Sequence, residues 1–267
     1  ILTGQNGQIF LTTHSTVAIS CAEDAHLWYL DSLGSIGALP RDKIGPQQTR
    51  DPDTFLARVA VIAEGPTEVG FLQYLLEKAF EGNPLDHGVR VCDGQGNGAT
   101  LDLLETLASS GLLFAGLADD EGTAPERRKK LKEKLKGRLH QWPKGCTEDH
   151  VIGAVPEANL LELLKDTEGE LDGYRLRTLA DRLGLQDKTT EAIDAALKAS
   201  GKTWRALIIA AATGRKDGAP ANQEKAWKKH SQQWFKSTDG GKELAQKMVA
   251  LGAWVDIQPQ LLPLINA

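Results

Sequence analysis

Short apolar runs alternate with amphipathic segments through the middle of this chain. The first run, Val-Ala-Val-Ile-Ala at 59–63, is rich in β-branched side chains and is typical of a strand covered on both faces. Gly65 and Pro66 then turn the chain, and apolar residues recur at three- and four-residue spacing from Val69 to Phe80, which predicts a helix. Further predicted elements are strands at 88–92 and 112–118, with a helix at 100–109 between them. This order predicts a parallel sheet with right-handed crossovers.

The rest of the chain gives weaker patterns. Glycine and proline are frequent in residues 31–57, which predicts an irregular connector. The other predicted elements are a strand at 8–11, a basic helix after Pro125, a strand at 139–142, a helix from Thr147, largely helical structure at 156–213 and a last helix at 242–251. Gly240 and Gly241 are expected to break the chain before that last helix.

Composition narrows the class of protein. The chain has 267 residues, 41% hydrophobic and 25% charged, which is ordinary for a globular protein and long enough for a large core. No apolar run approaches the roughly 20 residues that cross a bilayer, so we expect no membrane association. The three cysteines are far apart and make no zinc-type spacing, which favours a reducing cytoplasm. Because the sequence opens at Ile1 without methionine, we expect a fragment of a longer protein.

Acidic side chains follow the ends of the predicted strands. They are Glu64, Glu68, Asp119, Glu121 and Glu148. Because ligands bind at the carboxyl edge of open α/β sheets, we expect these acids to lie together there. Each acid alone is explained by a helix cap or a solvated loop, but gathered and unpaired they would repel one another. Carboxylates without cysteine or paired histidine ligands suit Mg²⁺ or Mn²⁺, so the pattern predicts a divalent-cation site.

Basic side chains are concentrated in two stretches, although the net charge of −5 gives the chain no overall basic field. Residues 127–144 carry nine basic residues, and residues 225–236 mix lysine with Trp227, Trp234 and Phe235. These stretches are interpreted either as a solvated helix face and a packed aromatic core, or as contacts to nucleic-acid phosphates and bases. The glycines of residues 94–98 lack a strand-GxGxxG-helix register, so we interpret them as tight turns near the site.

Several of these motifs resemble those of a known family. Glu-Gly-Pro-Thr-Glu at 64–68, Asp-Asp-Glu at 119–121 and the later acid resemble a Toprim domain. The turn around His14 is similar to the switch histidine of a RecF-like or ABC-type ATPase domain, although a capping turn also explains it. Together with Trp-Phe-Lys and Gly-Gly near the end, the chain is similar to the carboxyl-terminal region of a class 2 OLD (overcoming lysogenization defect) family nuclease. It has no GxxxxGK[ST] motif of its own.

The resemblance implies an α/β fold, with a Toprim (Rossmann-like) central parallel sheet flanked by helices and an appended helical subdomain. The implied segments are 1–30 as the tail of an upstream ATPase domain, 31–57 as a linker, 58–155 as the Toprim core, 156–225 as a helical insertion, and 226–267 as a carboxyl-terminal segment that completes the site. The implied partners are DNA, the upstream ATPase domain of the same polypeptide and, as an option, a second copy of the chain in a homodimer.

The resemblance also assigns roles to single residues. The implied metal ligands are Glu64, Glu68, Asp119, Glu121 and Glu148. Glu121 stands in place of the second aspartate of the family's DxD motif. Cys146 stands where a serine is expected before the later acid, so Glu157 is a rival of Glu148. The implied catalytic residues are Glu64, Asp119 and Lys236, and the lysines that compete with Lys236 are Lys202, Lys216 and Lys225.

The implied activity is metal-dependent nicking or cleavage of DNA with two Mg²⁺ or Mn²⁺ ions, and exonuclease action is a further option. A topoisomerase would need a tyrosine nucleophile, and Tyr29, Tyr74 and Tyr174 lack any supporting pattern. A primase would need a nucleotide-entry site, which the sequence does not indicate. The alternative from another class is a non-catalytic module that dimerises or regulates an upstream ATPase.

Overall fold

The computed structural model describes residues 9–22, 24–119, 122 and 124–265. Its first elements are helix α1 (Thr16–Cys21), the antiparallel hairpin of β1 (Leu27–Leu30) and β2 (Ile36–Leu39), and helix α2 (Arg41–Arg50). The prediction of an irregular connector at 31–57 is wrong, because this range contains β2 and α2. Gly34 has a φ of +86° in the hairpin turn, so glycine serves regular structure here. The predicted strand at 8–11 is not formed by Ile9 to Leu11, and Gln8 lies outside the described residues.

A four-stranded parallel sheet forms the centre of the fold, as predicted. Its strands are β3 (Val59–Ala63), β4 (Val89–Asp93), β5 (Leu113–Ala118) and β6 (Leu139–Gln141), in the order β4-β3-β5-β6. The helices that follow these strands are α3 (Pro66–Ala79), α4 (Asn97–Leu107), α5 (Pro125–Leu135) and α6 (Thr147–Ala154). β3 pairs with β4 and β5 and is buried on both faces, which explains its continuous apolar run.

Hydrophobic cores lie on both faces of this sheet. Neighbouring residues of a strand point to opposite faces, so Ile62 joins one core and Val61 joins the other. The core around Ile62 contains side chains from α2, α4 and α5, such as Ile44, Leu104 and Leu131. The core around Val61 contains side chains from α3 and α6, and it continues into the second half of the chain.

The second half of the chain is helical, as predicted for residues 156–213. A 3-10 stretch at Glu157–Leu164 is followed by α7 (Gly173–Leu183), α8 (Thr190–Ser200), α9 (Trp204–Thr213), α10 (Glu224–His230), α11 (Thr238–Ala250) and α12 (Trp254–Ile265). Leu179, Ile208 and Leu244 from these helices are buried in the same core as Val61. The helices therefore share their core with the sheet. Within the described ranges, no helix is long and apolar enough to cross a membrane.

Helix α11 begins before the two glycines that were expected to interrupt the chain. Gly240 and Gly241 lie in its first turn, so that expectation is wrong. A Cβ atom on Gly241 would lie 1.9 Å from the Thr67 carbonyl oxygen, and one on Gly70 would lie 1.8 Å from the Thr238 carbonyl oxygen. The glycines therefore let α3 and α11 pack backbone against backbone, which brings the end of the chain to the helix that carries Glu68.

Candidate active site

Four of the five predicted acids lie together at the carboxyl edge of the parallel sheet. Glu64 follows β3 and Asp119 follows β5, whereas Glu68 and Glu148 lie in the first turns of α3 and α6. The exposed fraction of each residue is 7% or less, which is far lower than for a solvated loop or surface cap. The fifth acid, Glu121, lies outside the described residues. The common edge follows from the parallel strands, which all deliver their carboxyl ends to one side.

Direct hydrogen bonds connect the elements that carry these acids. The Asp119 backbone N–H donates to Glu64 Oε2 over 3.0 Å, and the Thr147 backbone N–H donates to Asp119 Oδ1 over 3.2 Å. The Thr67 hydroxyl donates to the Phe235 carbonyl oxygen over 3.0 Å and lies 3.4 Å from Glu148 Oε1. The ends of β3 and β5, the starts of α3 and α6, and the segment before α11 are therefore held to one another.

Lys236 is the lysine that reaches this cluster. Its Nζ atom lies 2.8 Å from Glu148 Oε1, one third of its side chain is exposed, and it lines the cleft beside the acids. The rival lysines Lys202, Lys216 and Lys225 do not contribute to the cleft lining that the described residues form. The rival acid Glu157 is two-thirds exposed and pairs with Arg205 instead. Lys236 and Glu148 are thus the members of their respective sets that the fold brings to the acids.

Burial and mutual repulsion favour the protonated forms of two acids. Burial, and then the neighbouring Glu148 charge, raise the pKa of Glu68 to about 7. Burial also raises the pKa of Asp119, to about 9, with repulsion from Glu68, Glu148 and Glu64 adding to it. Burial alone would lower the pKa of Lys236, but its interactions with Glu148, Cys146 and Glu68 together outweigh burial and raise that pKa. For Glu68 and Asp119, burial and the neighbouring acids therefore outweigh the positive charge that Lys236 brings to the cluster.

The donor chemistry of the cluster suits a hard divalent cation. Glu68 Oε1 and Glu148 Oε2 are buried and have no hydrogen-bond partner among the described residues, an unfavourable state that a bound cation would relieve. Carboxylate oxygens are the ligands that Mg²⁺ and Mn²⁺ prefer. In the described part of the chain, however, no three acidic, histidine or cysteine side chains converge on one point as a closed ligand set. The acids fit the ions in chemistry and burial, while Glu64 Oε2, Asp119 Oδ1 and Glu148 Oε1 are directed at protein donors.

Comparison with protein families places the sheet and its acids in a known domain type. The family profile "Overcoming lysogenization defect protein-like, TOPRIM domain" matches residues 55–120, which include β3, α3, β4, α4 and β5. Residues 55–120 are thus similar to an OLD-like TOPRIM domain, and the sheet has the TOPRIM α/β architecture. The match contains Glu64, Glu68 and Asp119, whereas Glu148 and Lys236 lie beyond it.

Solved structures with a similar chain course come from OLD proteins. The carboxyl-terminal region of the Burkholderia pseudomallei OLD protein is 15% identical, with 72% of this chain and 98% of that chain covered and a TM-score of 0.33. The corresponding region of the Xanthomonas campestris pv. campestris OLD protein is 13% identical, with 77% and 98% covered and a TM-score of 0.37. At these identities and TM-scores, neither likeness supports a conclusion about this chain. No curated protein sequence matches it.

The glycine-rich loop of the TOPRIM domain forms one wall of the cleft. The cleft has a volume of about 330 Å³, and Asp93, Gln95 and Gly96 line it together with three of the acids. The Gly96 backbone N–H donates to the Glu64 carbonyl oxygen over 2.7 Å, and Gly96 has a φ of +88° that favours glycine. Asp93 was not predicted as a site residue. It is the last residue of β4, and Glu64 directly follows β3, so the same strand-end pattern contains the signal that would have found it.

Three further residues at the TOPRIM cleft were missed as site residues. Thr67 contributes its hydroxyl and Thr147 its backbone N–H, as described above, and Arg128 donates from Nη1 to the Asp119 carbonyl oxygen over 2.5 Å. Thr67 lies inside the Glu-Gly-Pro-Thr-Glu motif, which is a usable signal. The other two depend on contacts between elements, which periodicity does not report.

Two members of the predicted basic patch have structural partners. Arg128 is buried, with an exposed fraction of 4%, because it supports the end of β5. Arg127 forms ion pairs with Asp102 and Glu105 of α4. The lysines of α5 and the residues after it are exposed, namely Lys129, Lys130, Lys132, Lys134, Lys136 and Lys144. Fewer basic residues are therefore available to contact phosphates than the sequence pattern indicates.

Proposed function

We propose that this chain contains the site of a divalent-metal-dependent DNA endonuclease. The observation that supports this most directly is the cluster of four buried acids with Lys236 at the carboxyl edge of a TOPRIM sheet. Buried carboxyl groups that repel one another reduce stability, so their presence in one cleft calls for a functional explanation. Cleavage of a phosphodiester by two Mg²⁺ or Mn²⁺ ions uses such a set of ligands.

Each acid has a place in this proposal. The residues that would hold the ions are Glu64, Glu68, Asp119, Glu121 and Glu148. Bound ions would supply an activated water and stabilise the leaving oxygen of the phosphodiester. The chain itself fixes the ligands: the Thr147 N–H orients Asp119, and the Asp119 N–H orients Glu64. Such fixed carboxylates need little reorganisation when the substrate arrives.

Lys236 would act on the phosphate. Its ammonium group is held at the cleft by Glu148, and its partial exposure leaves it accessible to a phosphoryl oxygen. A cation at this position would neutralise negative charge that develops during cleavage. Glu64, Asp119 and Lys236 are accordingly the catalytic residues of the proposal.

Exposed lysines would hold the DNA backbone beside this acidic cleft. The lysines of α5 and Lys144 form one candidate surface, and Lys225, Lys228 and Lys229 form another. Contacts of this kind are independent of base sequence and weaken as salt concentration rises. Trp227 and Trp234 are buried, so a base-stacking role for them is not part of the proposal.

The wider assembly is also a proposal. By the resemblance, residues before 31 would end an ATPase domain of the same polypeptide, residues 58–155 would be the catalytic core, and residues 226–267 would complete the site. A homodimer is a further option. Tyr29, Tyr74 and Tyr174 do not belong to the cleft lining that the described residues form, so a tyrosine-dependent topoisomerase has no support.

Metal-dependent nicking of supercoiled plasmid tests the proposal. We expect nicking with Mg²⁺ or Mn²⁺ and none with EDTA. Glu64→Gln and Asp119→Asn should each reduce the rate by at least about 100-fold, as for loss of a preorganised electrostatic group. Glu157→Gln is the matched control, because this acid is exposed and paired with Arg205 away from the cleft, and it should retain the rate. Absence of nicking with either ion across a range of salt concentrations would overturn the proposal.

One observation favours a second candidate, a non-catalytic docking or dimerisation module. The outer face of the β1–β2 hairpin exposes Trp28, Leu30 and Ile36 by 60% or more, and such apolar surface commonly marks an interaction site. The plasmid assay separates the two candidates. A folded chain that binds a partner and never cleaves DNA would favour the module.

A further inference from the structure

A buried arginine of α7 connects the helical region to the segment that carries Lys236. Arg175 has an exposed fraction of 3%. Its Nη1 and Nη2 atoms donate to both carboxylate oxygens of Glu243 in α11, over 2.8 Å and 2.7 Å. Nη1 also donates to the carbonyl oxygens of Leu163 and Lys165, over 3.0 Å and 2.7 Å. The guanidinium is therefore fixed by two separate segments, the end of the 3-10 stretch and α11.

The same guanidinium faces two aromatic rings. Its Cζ atom lies 5.5 Å from the ring centre of Trp234 and 5.0 Å from that of Phe235. A cation in this position is attracted to aromatic faces, and the attraction is stronger when both are removed from water, as they are here. Trp234 is held a second time, since its Nε1–H donates to the Thr178 hydroxyl of α7 over 2.9 Å.

Trp234 and Phe235 immediately precede Lys236, in a segment with little regular backbone structure. Trp234 has φ and ψ values of −122° and −107°, and the Lys236 N–H makes only a long bond, 3.4 Å, to the Ser231 carbonyl oxygen. The backbone bonds of Trp234 and Ser237 are to Ser231 and Phe235, which lie close by in the chain, so side-chain contacts connect this segment to α7. On its other side, a Cβ atom on Gly240 would meet the Phe235 backbone at 2.8 Å, and Thr67 donates to the Phe235 carbonyl oxygen.

We propose that Arg175 is a positioning residue, which fixes Trp234 and Phe235 and through them places the Lys236 ammonium group at the acidic cleft. The effect on cleavage rests on the proposed function, whereas the placement of the segment does not depend on any activity. The helical region would then set the geometry of the site in addition to stabilising the fold. A long lysine side chain gains most from such support, because its own torsions do not fix its Nζ atom.

A double-mutant cycle tests whether Arg175 acts through Lys236. Arg175→Met keeps the aliphatic stem and removes the guanidinium. We expect a loss in kcat for plasmid nicking of about 10- to 100-fold, the range for a misplaced catalytic group, with KM for DNA within about twofold. In the Lys236→Met background, Arg175→Met should have no additional effect, because residues that act as one unit are not additive. An equal loss in both backgrounds would overturn the inference.

Lys247→Met is the matched control. Lys247 donates to the Glu162 and Lys165 carbonyl oxygens, and like Arg175 it approaches Glu243. The cation–π contacts to Trp234 and Phe235 described above are made by Arg175 and not by Lys247. We expect Lys247→Met to lower thermal stability and leave kcat within about twofold. A loss in kcat as large as that of Arg175→Met would assign the effect to general destabilisation and overturn the inference.

Hydrogen exchange gives a readout that needs no cleavage. In folded Arg175→Met, the amides of Lys236 and Ser237 should exchange at least about tenfold faster than in the wild type, and in Lys247→Met they should not. Unchanged exchange in Arg175→Met would overturn the placement even if the chain cleaves DNA. If the wild type never cleaves, the proposed function fails while the exchange result still decides the placement. Should Arg175→Met not fold, Thr178→Val, which removes the acceptor of Trp234, carries the same measurements and expectations.

Discussion

Asp119 is a carboxyl group buried beside three other acids, and this has a direct consequence for stability. Its pKa is raised to about 9 by burial and by its acidic neighbours, from an ordinary value of 3.8. Between these pH values the folded protein keeps this proton and the unfolded chain has lost it. The folded state therefore binds more protons, so this residue makes the protein less stable as pH rises from about 4 to about 9.

Replacing Asp119 by asparagine should remove this destabilisation. The amide oxygen of Asp119→Asn can still accept from the Thr147 N–H, and no charge is buried. In EDTA at pH 8, we expect the variant to be more stable than the wild type by at least about 1 kcal/mol, which corresponds to about 2–4 °C in Tm. The difference should disappear near pH 4. Thermal unfolding at several pH values measures it, and a variant that is less stable at pH 8 would contradict the expectation.

Divalent cations should stabilise the wild type through the same acids. Saturating Mn²⁺ or Mg²⁺ at pH 8 should raise Tm, by an amount equivalent to about 2.7 kcal/mol at 100 times the Kd. The increase should shrink towards pH 5, because protons compete with the ions for Glu68 and Asp119. Glu68→Gln should reduce the increase, and Glu157→Gln should not. A Tm that is the same with the ions and with EDTA would count against cation binding here.

At the residue scale, the acids could be predicted from the sequence. Their cationic partner, Lys236, could be predicted only in part. Glu64 and Asp119 follow apolar runs whose strand character is local, so their common edge follows from the parallel order. Lys236 lies 88 positions after Glu148, and its placement depends on helix packing that local periodicity does not describe. It was named from the resemblance. Nothing in spacing alone separates it from Lys216 or Lys225.

At the scale of elements, the position of Lys236 depends on the packing of α11 against α3. The glycines at this contact look like helix breakers in the sequence, which is why the start of α11 was predicted four residues late. Their role becomes visible only when the two backbones meet. Helix propensity reports a cost for glycine, and tertiary packing overrides that cost here.

Gly241→Ala should disrupt this helix contact. The added Cβ would lie 1.9 Å from the Thr67 carbonyl oxygen, a backbone atom that has little freedom to move. We expect a loss of about 1–3 kcal/mol or more in the free energy of unfolding, measured by urea titration. Gly153→Ala is the control, because that glycine lies in α6 with open space around its Cβ position, and alanine should stabilise the helix by up to about 1 kcal/mol. Equal effects of the two substitutions would contradict this account.

Charge is distributed unevenly over the whole molecule, and this distribution should govern DNA binding. With a net charge of −5, binding depends on local lysines rather than on the whole surface. Lys130→Gln and Lys134→Gln should each weaken binding and reduce the slope of log K against log salt by about 0.9 per lost phosphate contact. Arg127→Gln is the control, because its partners are Asp102 and Glu105, and its slope should equal that of the wild type. Filter binding at several salt concentrations provides the slopes.

For the molecule as a whole, the sequence indicated the parallel sheet and the helical second half but not how they combine. The sheet order follows from alternating strand and helix patterns, which are local. Val61 shares one core with Leu179 and Leu244, which lie more than 100 positions after it, so no local window of the sequence indicates this packing. The hairpin before the sheet was missed for another reason: its glycines and prolines were read as loop signals, although Gly34 occupies a turn and Pro40 precedes α2.

The contact of α11 with α3 also has a consequence for the order of events during synthesis. Glu64 and Asp119 leave the ribosome long before Lys236 and α11, and domains fold as their chain emerges. Until α11 arrives, Gly70 and Thr67 have no helix to pack against, and the ammonium group has no fixed place. A nascent chain would thus contain the acids without the finished cleft. The proposed nuclease would be inert until the segment with Lys236 and α11 has left the ribosome and packed against α3.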